Sequence, residues 1–333
     1  MKTKVVFIER KRSESVSLEI VFRQIEKSLS KTKFETVFQQ LPYFNRVSGI
    51  IKNFIYFKKQ TADIYHITGD IHYIALILPR EKTVLTIHDL RFLHFRKGLR
   101  RFILKKLFLD LPVKRLKYIT AISEATKKEI VFHTNCQPDK IRVIENPLNE
   151  NIFTNKAKKF DENCPNILQI GTAVNKNLTN LIKALRGIKC RLKIIGLLDS
   201  EMVTLLKTNR ITYQNVWGLT DIEIRHQYEK ADIVMFCSTY EGFGLPIIEA
   251  QAMRIPVITS NISPLKEVAG DAAILVEPSD VVSIREGVLQ IINSALLRDK
   301  LIAQGLVNIK RFEPAQISKK YESLYEEIII QNS

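Results

Sequence analysis

Short apolar runs rich in β-branched residues alternate with helical patterns along almost the whole chain, and this alternation constrains the fold most strongly. Runs that are apolar at every position predict parallel strands buried on both faces. Helices of about ten or more residues between them predict βαβ units. We therefore expect an α/β fold with doubly wound parallel sheets. The predicted strands form two series: Val5–Ile8, Ile64–Ile67, Val84–Ile87, Ile119–Ile122 and Ile141–Ile144, then Ile167–Ile170, Leu192–Ile195, Ile211–Val216, Ile233–Phe236, Val257–Thr259 and Ala273–Val276.

The two series are separated by PLNENIFTNKAKKFDENCP, a polar, lysine-rich segment at 147–165 that is bounded by prolines. Such a composition predicts an interdomain linker, and a length of 333 residues fits two domains. We expect one Rossmann-like domain at 1–155, a second at 156–313, and an amphipathic C-terminal helix at 314–333.

Features that the chain lacks argue against several classes of protein. No apolar run approaches the ~18–20 residues of a membrane-spanning helix, and the first apolar stretch, Val5–Ile8, is too short for a secretory signal. We therefore expect a cytoplasmic protein. The missing G-x-G-x-x-G fingerprint argues against a nicotinamide dehydrogenase, and no P-loop is present. Four dispersed cysteines without a C-x-x-C pair predict reduced, mostly buried thiols rather than a zinc site.

The stretch STYEGFGLPIIEAQAMRIPVITS, residues 238–260, is the most informative segment for chemistry. A strand leads into a turn containing Gly242 and Gly244, and a helix then begins with a proline, which is favourable in a first helical turn. The N–H groups and the dipole of such a helix start form an anion site suited to phosphate. Glu241 and Glu249 flank the turn, and their carboxylates suit sugar and ribose hydroxyls.

This stretch resembles the Glu-(seven residues)-Glu signature of retaining glycosyltransferases of the GT-B fold, in particular glycosyltransferase family 4. The resemblance implies two Rossmann-like domains facing a central cleft, the first (1–155) binding the acceptor and the second (156–313) binding the sugar nucleotide. It also implies that the C-terminal helix at 314–333 crosses back to the first domain. It implies that Glu249 binds the donor ribose and that Glu241 contacts the transferred sugar. The backbone of Gly242, Phe243, Gly244 and Leu245 would hold sugar and phosphate. The alternative is two surface glutamates beside an ordinary turn.

Residues 167–185, ILQIGTAVNKNLTNLIKAL, are similar to the first strand, turn and helix of the family's second domain. The resemblance implies that Gly171 and Thr172 line the donor site and that Lys176 binds the diphosphate. A lysine there would stabilise the charge that develops on the leaving group. Thr172 stands where the family often has an arginine, and a threonine supplies no positive charge for that second contact.

The first domain resembles the family more loosely. In TIHDL, residues 86–90, His88 would lie near the reacting sugar and Asp89 would support the loop, although a lone histidine is more often structural. The loop ERKRSESVSLE, residues 9–19, lacks the family's glycines. Its basic residues Arg10, Lys11 and Arg12 are candidates to hold phosphate or to form a solvated loop.

The net charge of +16 lies almost entirely in the first 150 residues, which hold 29 Lys and Arg against 15 Asp and Glu. Within them, residues 91–117 hold ten Lys and Arg and one acid, with Phe and Leu at near-helical spacing. This pattern favours a basic amphipathic helix at an anionic membrane surface. The alternative is a core-facing helix with a solvated basic face. No recognised motif supports nucleic-acid binding.

The combined expectation is a retaining hexosyltransferase of cell-surface polysaccharide synthesis, peripheral at the inner face of the membrane. Its donor would be a GDP- or UDP-linked sugar, with mannose favoured, and its acceptor a glycan or a lipid-linked glycan. We expect no cofactor and no metal, since no D-x-D motif occurs. The family places the base near Gln214–Gly218, where Trp217 would stack or belong to the core. The alternatives are a sugar-nucleotide epimerase, and a non-catalytic membrane or nucleic-acid binder with a vestigial site.

Overall fold

A computed structural model describes residues 2–11, 17–156 and 158–332. The chain divides into a first unit, Met1–Pro147 with Glu313–Ser333, and a second unit, Leu148–Phe312. The divisions at 147 and 312 differ from the expected domain ends at 155 and 313, because the start of the predicted linker packs within the second unit. There the Leu148 N–H donates to the carbonyl of Phe312 (2.8 Å), and the Thr154 N–H donates to that of Ala252 (3.3 Å).

The first unit contains a six-stranded parallel sheet in the order β2-β1-β3-β4-β5-β6. Five of its strands match the predicted series, whereas β2 is missing from the prediction. Its sequence, FETVFQQ, is largely polar because β2 is an edge strand with only its first residue buried. The strands are β1 Thr3–Glu9, β2 Phe34–Gln40, β3 Ile64–Ile67, β4 Thr83–Ile87, β5 Tyr118–Ala121 and β6 Ile141–Val143.

Six helices connect these strands, and the third to fifth form the predicted basic segment 91–117. A π-helical turn at Lys106–Asp110 joins the fourth helix directly to the fifth. Buried side chains of this turn, Phe108 and Leu109, belong to the core of the first unit. The helices are α1 Ser17–Ser28, α2 Val47–Tyr56, α3 Arg91–Phe95, α4 Gly98–Lys105, α5 Leu111–Arg115 and α6 Glu124–Thr134.

The second unit also has a six-stranded parallel sheet, and all six strands of the predicted second series are present. Their order is β12-β11-β10-β7-β8-β9, so the direction of winding reverses between β7 and β10. Ligands of doubly wound folds bind outside the carboxyl ends of the strands at such a reversal. The strands are β7 Asn166–Ile170, β8 Arg191–Ile195, β9 Tyr213–Val216, β10 Ile233–Phe236, β11 Val257–Ser260 and β12 Ile274–Val276.

Helices cover both faces of this second sheet. In the first of them, Leu178, Leu181, Ile182 and Leu185 recur at helical spacing and are buried. Each such side chain contributes about 1.5–3 kcal/mol of burial free energy, which fixes this helix and the turn before it against the sheet. The helices are α7 Leu178–Leu185, α8 Ser200–Thr208, α9 Asp221–Lys230, α10 Leu245–Ala252, α11 Leu265–Ala269, α12 Val281–Asn293 and α13 Ala295–Asn308.

The C-terminal helix, α14 (Pro314–Asn332), packs on the first unit, where it contacts α1. A buried polar network joins it to the sheet. His66 bonds through Nδ1 to the Tyr325 hydroxyl (2.6 Å) and through Nε2 to the hydroxyl of Thr86 (2.7 Å). Thr86 bonds onward to Thr120 (2.7 Å) and Tyr321 (3.4 Å). Burial lowers the pKa of His66 to about 3, so the ring is neutral at physiological pH.

No helix within the described residues is long and apolar enough to cross a membrane. The four cysteines form no disulfide, and Cys190 and Cys237 are buried whereas Cys136 and Cys164 are partly exposed.

The network predicts the effect of one substitution. Tyr325→Phe removes the hydroxyl that bonds His66 Nδ1 and leaves a buried ring nitrogen without a partner, so the free energy of unfolding should fall by about 1–3 kcal/mol. Urea unfolding measures the loss. Tyr56→Phe is the matched control, because Tyr56 is 58% exposed and should change stability little. Equal effects of the two substitutions would contradict this role for the network.

Candidate functional site

The loops after β7 and β10 meet at the carboxyl edge of the second sheet, where the winding reverses. A backbone bond joins them, from the Thr239 N–H to the carbonyl of Asn175 (2.8 Å). Asn177 adds a second tie, since its buried amide donates to the carbonyls of Cys237 (3.0 Å) and Pro278 (2.7 Å). The two segments that carry most of the predicted donor site are therefore held together by their own hydrogen bonds.

An ion pair between Lys176 and Glu241 lies at the centre of this edge. Lys176 Nζ is 2.6 Å from Glu241 Oε1, and the two side chains are 20% and 14% exposed. The amide of Asn175 donates to the same carboxylate oxygen (3.3 Å) and to the carbonyl of Tyr240 (3.0 Å). Lys176 Nζ also lies 4.5 Å from the centre of the Phe236 ring. Thus two residues that the sequence predicts to bind donor are brought into direct contact.

Gly171 provides the space for the Lys176 side chain. Its φ of +90° is unfavourable for other residues. A Cβ at this position would lie 3.0 Å from both Cγ and Cε of Lys176. Thr172 follows and packs against the next loop, where a Cβ on Gly196 would lie 2.9 Å from its methyl carbon. Any larger residue at 171 would therefore move the lysine away from Glu241.

Gly244 ends the turn after β10 and is the N-cap residue of α10, with φ +122°. A Cβ there would lie 2.8 Å from Leu265 Cδ2, so the turn requires glycine. Phe243 is buried against Phe312, with ring centres 5.6 Å apart. Its side chain is therefore part of the core, and only its backbone could contact a ligand. Leu245 is the first residue of α10. In this first turn Pro246 has no N–H and the Ile247 N–H already donates to the Gly244 carbonyl (3.0 Å), so the Leu245 N–H is the one left without a partner within the helix.

Glu249 lies on α10 and accepts a hydrogen bond from the hydroxyl of Tyr228 on α9 (2.6 Å). Burial raises the pKa of Glu249 to about 7, and the nearby carboxylate of Asp221 adds to this, whereas the Tyr228 bond opposes it. Burial and the neighbouring carboxylate of Glu249 raise the pKa of Tyr228 well above its usual value, so that the Tyr228 hydroxyl remains a donor. Tyr228 therefore positions Glu249 in the unliganded protein.

Trp217 follows β9 at the same carboxyl edge of the sheet. Its side chain is 59% exposed, which excludes the alternative that it belongs to the core. Gly218 comes next with φ +67°. An exposed indole at this edge is available for stacking against a planar ring.

His88 lies at the carboxyl end of β4 in the first unit and is 3% exposed. Its Nε2 bonds to the carbonyl of Thr68 (2.9 Å), so Nε2 carries the proton and Nδ1 is an acceptor. Nδ1 is buried and has no hydrogen-bond partner among the described residues. Burial lowers the pKa of His88, although the carboxylate of Asp70 opposes this shift, and the imidazole is neutral. Its role in sugar binding stays a prediction.

Asp89 and Arg10 are further residues of the first unit that the sequence analysis singles out. Asp89 accepts a bond from the Arg91 N–H (2.8 Å), which supports the loop as expected, and burial raises the pKa of Asp89. Arg10 pairs with Glu19 (2.9 Å), so its charge is already compensated. Arg12 lies outside the described residues.

Three contributors to the site are absent from the sequence prediction: Asn175, Tyr228 and Phe236. Asn175 directly precedes the predicted lysine, and an amide in a turn is a recognisable signal. Tyr228 and Phe236 carry no such signal, because their contacts with Glu249 and Lys176 join separate elements. Among the described residues, no group of three or more His, Cys, Asp or Glu side chains could hold a metal ion.

Solved structures share this two-unit architecture. Sucrose-phosphate synthase from Thermosynechococcus elongatus matches with a TM-score of 0.81 at 15% identity, over 99% of this chain and 100% of that chain. HepE from Anabaena, in complex with UDP and glucose, matches with a TM-score of 0.78 at 14% identity, over 98% of this chain and 100% of that chain. Two parallel six-stranded sheets with flanking helices, together with these neighbours, define a GT-B fold.

Family models match both halves of the chain. Residues 9–151 match the model described as Glycosyltransferase Family 4, and residues 151–306 match Glycosyl transferases group 1. The chain therefore belongs to the GT-B glycosyltransferases, as the Glu241 and Glu249 signature predicts.

Curated relatives include proteins of surface-polysaccharide synthesis. The O-antigen chain mannosyltransferase RfbU of Salmonella typhimurium is 31% identical over 219 residues, 63% of this chain and 60% of that protein. The O-antigen chain mannosyltransferase B of Escherichia coli is 39% identical over 28% of this chain and 24% of that protein. CapM, a capsular polysaccharide biosynthesis glycosyltransferase of Staphylococcus aureus, is 26% identical over 86% of this chain and 82% of that protein. The chain thus covers less than two thirds of the first two relatives.

The pKa of Glu249 predicts a pH-dependent stability. Its folded value of about 7 lies above its ordinary value of 4.5, so the folded state holds the proton more tightly. This stabilisation is fully present below about pH 4.5 and is lost as the pH rises through 7. The glutamine of Glu249→Gln cannot ionise. The difference in free energy of unfolding, variant minus wild type, should therefore be roughly 2–3 kcal/mol larger at pH 8.5 than at pH 5. Urea unfolding at both pH values measures this.

The matched control is Glu286→Gln, which changes an exposed glutamate on α12. It should shift stability equally at both pH values. A Glu249→Gln gain that does not depend on pH would contradict the burial of this carboxylate.

Proposed function

We propose that the chain transfers a hexosyl group, with retention of anomeric configuration, from a nucleoside diphosphate sugar to a hydroxyl acceptor. The observation that carries this proposal is the Lys176–Glu241 pair at the reversal of the second sheet, beside the start of α10. A cation, a helix start and a carboxylate together match a diphosphate joined to a sugar. Membership of the GT-B glycosyltransferases supports the same reaction class.

Lys176 is proposed to bind and neutralise the donor diphosphate. Its charge is compensated by Glu241 at 2.6 Å. Arrival of the diphosphate would give Lys176 a new anionic partner and release Glu241 to accept bonds from sugar hydroxyls. The backbone of Gly242 to Leu245, at the positive end of the α10 dipole, would hold the remaining phosphate oxygens. The second unit is thus the proposed donor domain, and fixed positive groups would replace a metal.

Glu249 is proposed to bind the ribose hydroxyls, held in place by Tyr228. At neutral pH this carboxyl is close to its pKa of about 7, and two hydroxyl donors would favour its ionised form. Trp217 is the proposed stacking surface for the base. These assignments place the nucleotide along the carboxyl ends of β7 to β10.

The reaction itself needs no protein nucleophile in this proposal. The acceptor oxygen forms a bond to the anomeric carbon, while the bond from that carbon to the diphosphate oxygen breaks on the same face. The leaving diphosphate accepts the acceptor's proton. His88 is the proposed sugar-orienting group of the first unit, which would hold the acceptor, since its neutral ring has an acceptor nitrogen with no partner among the residues that the structure describes.

The names of the relatives guide the proposal for the substrates. RfbU and mannosyltransferase B are named as O-antigen mannosyltransferases, and CapM is named for capsule synthesis. We therefore favour mannosyl transfer from GDP-mannose to a glycan or lipid-linked glycan of a surface polysaccharide. The UDP in the HepE complex makes UDP-sugars the second donor class to test.

A nucleotide panel tests this function and the ion pair together. Without metal, UDP, GDP, ADP, dTDP and their common sugars are compared by thermal shift. One nucleotide should stabilise the protein clearly, since a ligand at 100 times its Kd contributes ~2.7 kcal/mol. Lys176→Ala should lower the affinity for that nucleotide about tenfold or more. Glu241→Gln should bind it as tightly as wild type or more tightly, because the competing carboxylate charge is gone, yet lose sugar transfer.

Matched controls are Lys183→Ala on the exposed face of α7 and Glu286→Gln on α12, both of which should leave binding and transfer unchanged. Failure of every nucleotide to stabilise folded wild type would overturn the function. Normal transfer by Lys176→Ala would overturn the assignment of the lysine.

Membrane contact is a further part of the proposed function. None of the residues of α4 is buried, and Leu99, Phe102 and Ile103 are 73%, 58% and 47% exposed beside exposed arginines and lysines. Exposed apolar side chains within a basic helix suit an anionic lipid surface. This would place the enzyme at the inner face of the cell membrane, beside a lipid-linked acceptor.

Vesicle sedimentation tests this contact. Leu99→Ser together with Phe102→Ser should reduce binding to phosphatidylglycerol-containing vesicles severalfold, because both exposed side chains lose their apolar contact with lipid. Leu296→Ser, at an 82% exposed position of the second unit, is the control and should bind as wild type does. Equal binding by all three proteins would remove the membrane from the proposal.

A further inference from the structure

We propose that the first unit contains a separate phosphate-binding site, which we call the basic pocket. It is a cavity of about 600 Å³ between the helical run of α4, the π turn and α5 on one side and the end of α6 on the other. This site is independent of the proposed glycosyl transfer, since it shares no residue with the donor site. Its charged lining consists of Lys105, Lys106, Lys114, Lys140 and Asp110.

The lining has more positive charge than its own carboxylate can compensate. Asp110 is shared by two lysines, with Oδ1 2.6 Å from Lys105 Nζ and Oδ2 3.1 Å from Lys106 Nζ. Lys114 and Lys140 have no carboxylate partner in the part of the chain that the structure describes. Burial lowers the pKa of Lys140, which indicates that its charge is poorly solvated. An anion in the cavity would supply the missing compensation.

The π turn at Lys106–Asp110 builds this arrangement. In a regular α-helix, residues five apart do not face each other, because neighbours on one face lie three or four apart. A π turn bonds each residue to the fifth residue along. It therefore brings Lys105 next to Asp110, while Lys106 approaches the same carboxylate at the usual spacing of four. Both ammonium groups are thereby fixed on the pocket side.

His133 lies in the wall of the pocket, where neighbouring charged groups shift its pKa. Its pKa is lowered by partial burial and by the positive charges of Lys105, Arg101 and His94, although Glu129 opposes these effects. An anion bound among the lysines would offset those charges and raise the pKa of His133. The protein thus contains a reporter group for the proposed site.

A phosphate group suits the pocket better than a carboxylate does. Lysines act as separate point charges around the several oxygens of a phosphate. The cavity also borders an apolar surface, since Lys106 Nζ lies 5.8 Å from the ring centre of the exposed Phe102. A phosphate carrying an apolar chain could place its head in the pocket and its chain along α4. A free phosphate monoester offers the same head group without the chain.

The test compares two variants that remove equal charge from the first unit. Lys114→Ala/Lys140→Ala empties the pocket of its two uncompensated lysines. Lys58→Ala/Lys59→Ala removes two exposed lysines outside it. The His133 ring resonances, assigned by their loss in His133→Gln, are titrated against pH with inorganic phosphate and with glycerol phosphate. Sedimentation is measured with vesicles of phosphatidylcholine, alone and mixed with phosphatidylglycerol.

We expect phosphate to raise the pKa of His133 in wild type and in the Lys58/Lys59 variant, but not in the Lys114/Lys140 variant. If the source is lipid, the Lys114/Lys140 variant should also bind the mixed vesicles roughly tenfold or more weakly than the control variant. If the source is a free phosphate, only the His133 response should differ.

The proposal is overturned if the two variants behave alike in both measurements. Lys114→Arg/Lys140→Arg guards against a folding defect, because it keeps the charges and should retain binding. All variants should keep the nucleotide response of the second unit, so failure of the basic pocket and failure of glycosyl transfer can be told apart.

Discussion

The reversal of winding between β7 and β10 is the constraint on which the proposed donor site depends. Because all strands of the second sheet are parallel, the loops after these two strands emerge at one edge with no helix between them. This brings Lys176 to 2.6 Å from Glu241, although they are far apart in sequence. Gly171 leaves the space that the Lys176 side chain occupies, and Gly244 lets the turn after β10 pass close to Leu265.

The second unit holds its polar groups in compensated pairs. Lys176 is paired with Glu241, and Glu249 with Tyr228. A buried charge or hydroxyl without a partner is costly, so these pairs stabilise the site. They also keep the same groups available to a ligand, since each can exchange one hydrogen-bond partner for another. The raised pKa of Glu249 shows that this compensation is incomplete.

The first unit divides its polar groups differently. His66 is neutral and fully bonded within the network that fixes α14, whereas His88 keeps an acceptor nitrogen without a partner in the described residues. Two histidines of one sheet thus serve packing and a candidate site respectively. Part of the positive charge of this unit lies on α4, none of whose residues is buried, and around the basic pocket.

The sequence by itself determined the two-sheet fold and most positions of the proposed donor site, because buried parallel strands are apolar throughout and the turn after β10 needs glycine. It did not reveal β2, since a half-exposed edge strand has no continuous apolar pattern. Only the tertiary structure decided that Tyr228 holds Glu249, that Trp217 is exposed, and that residues 148–155 pack within the second unit. These outcomes depend on contacts between distant elements, which no local pattern encodes.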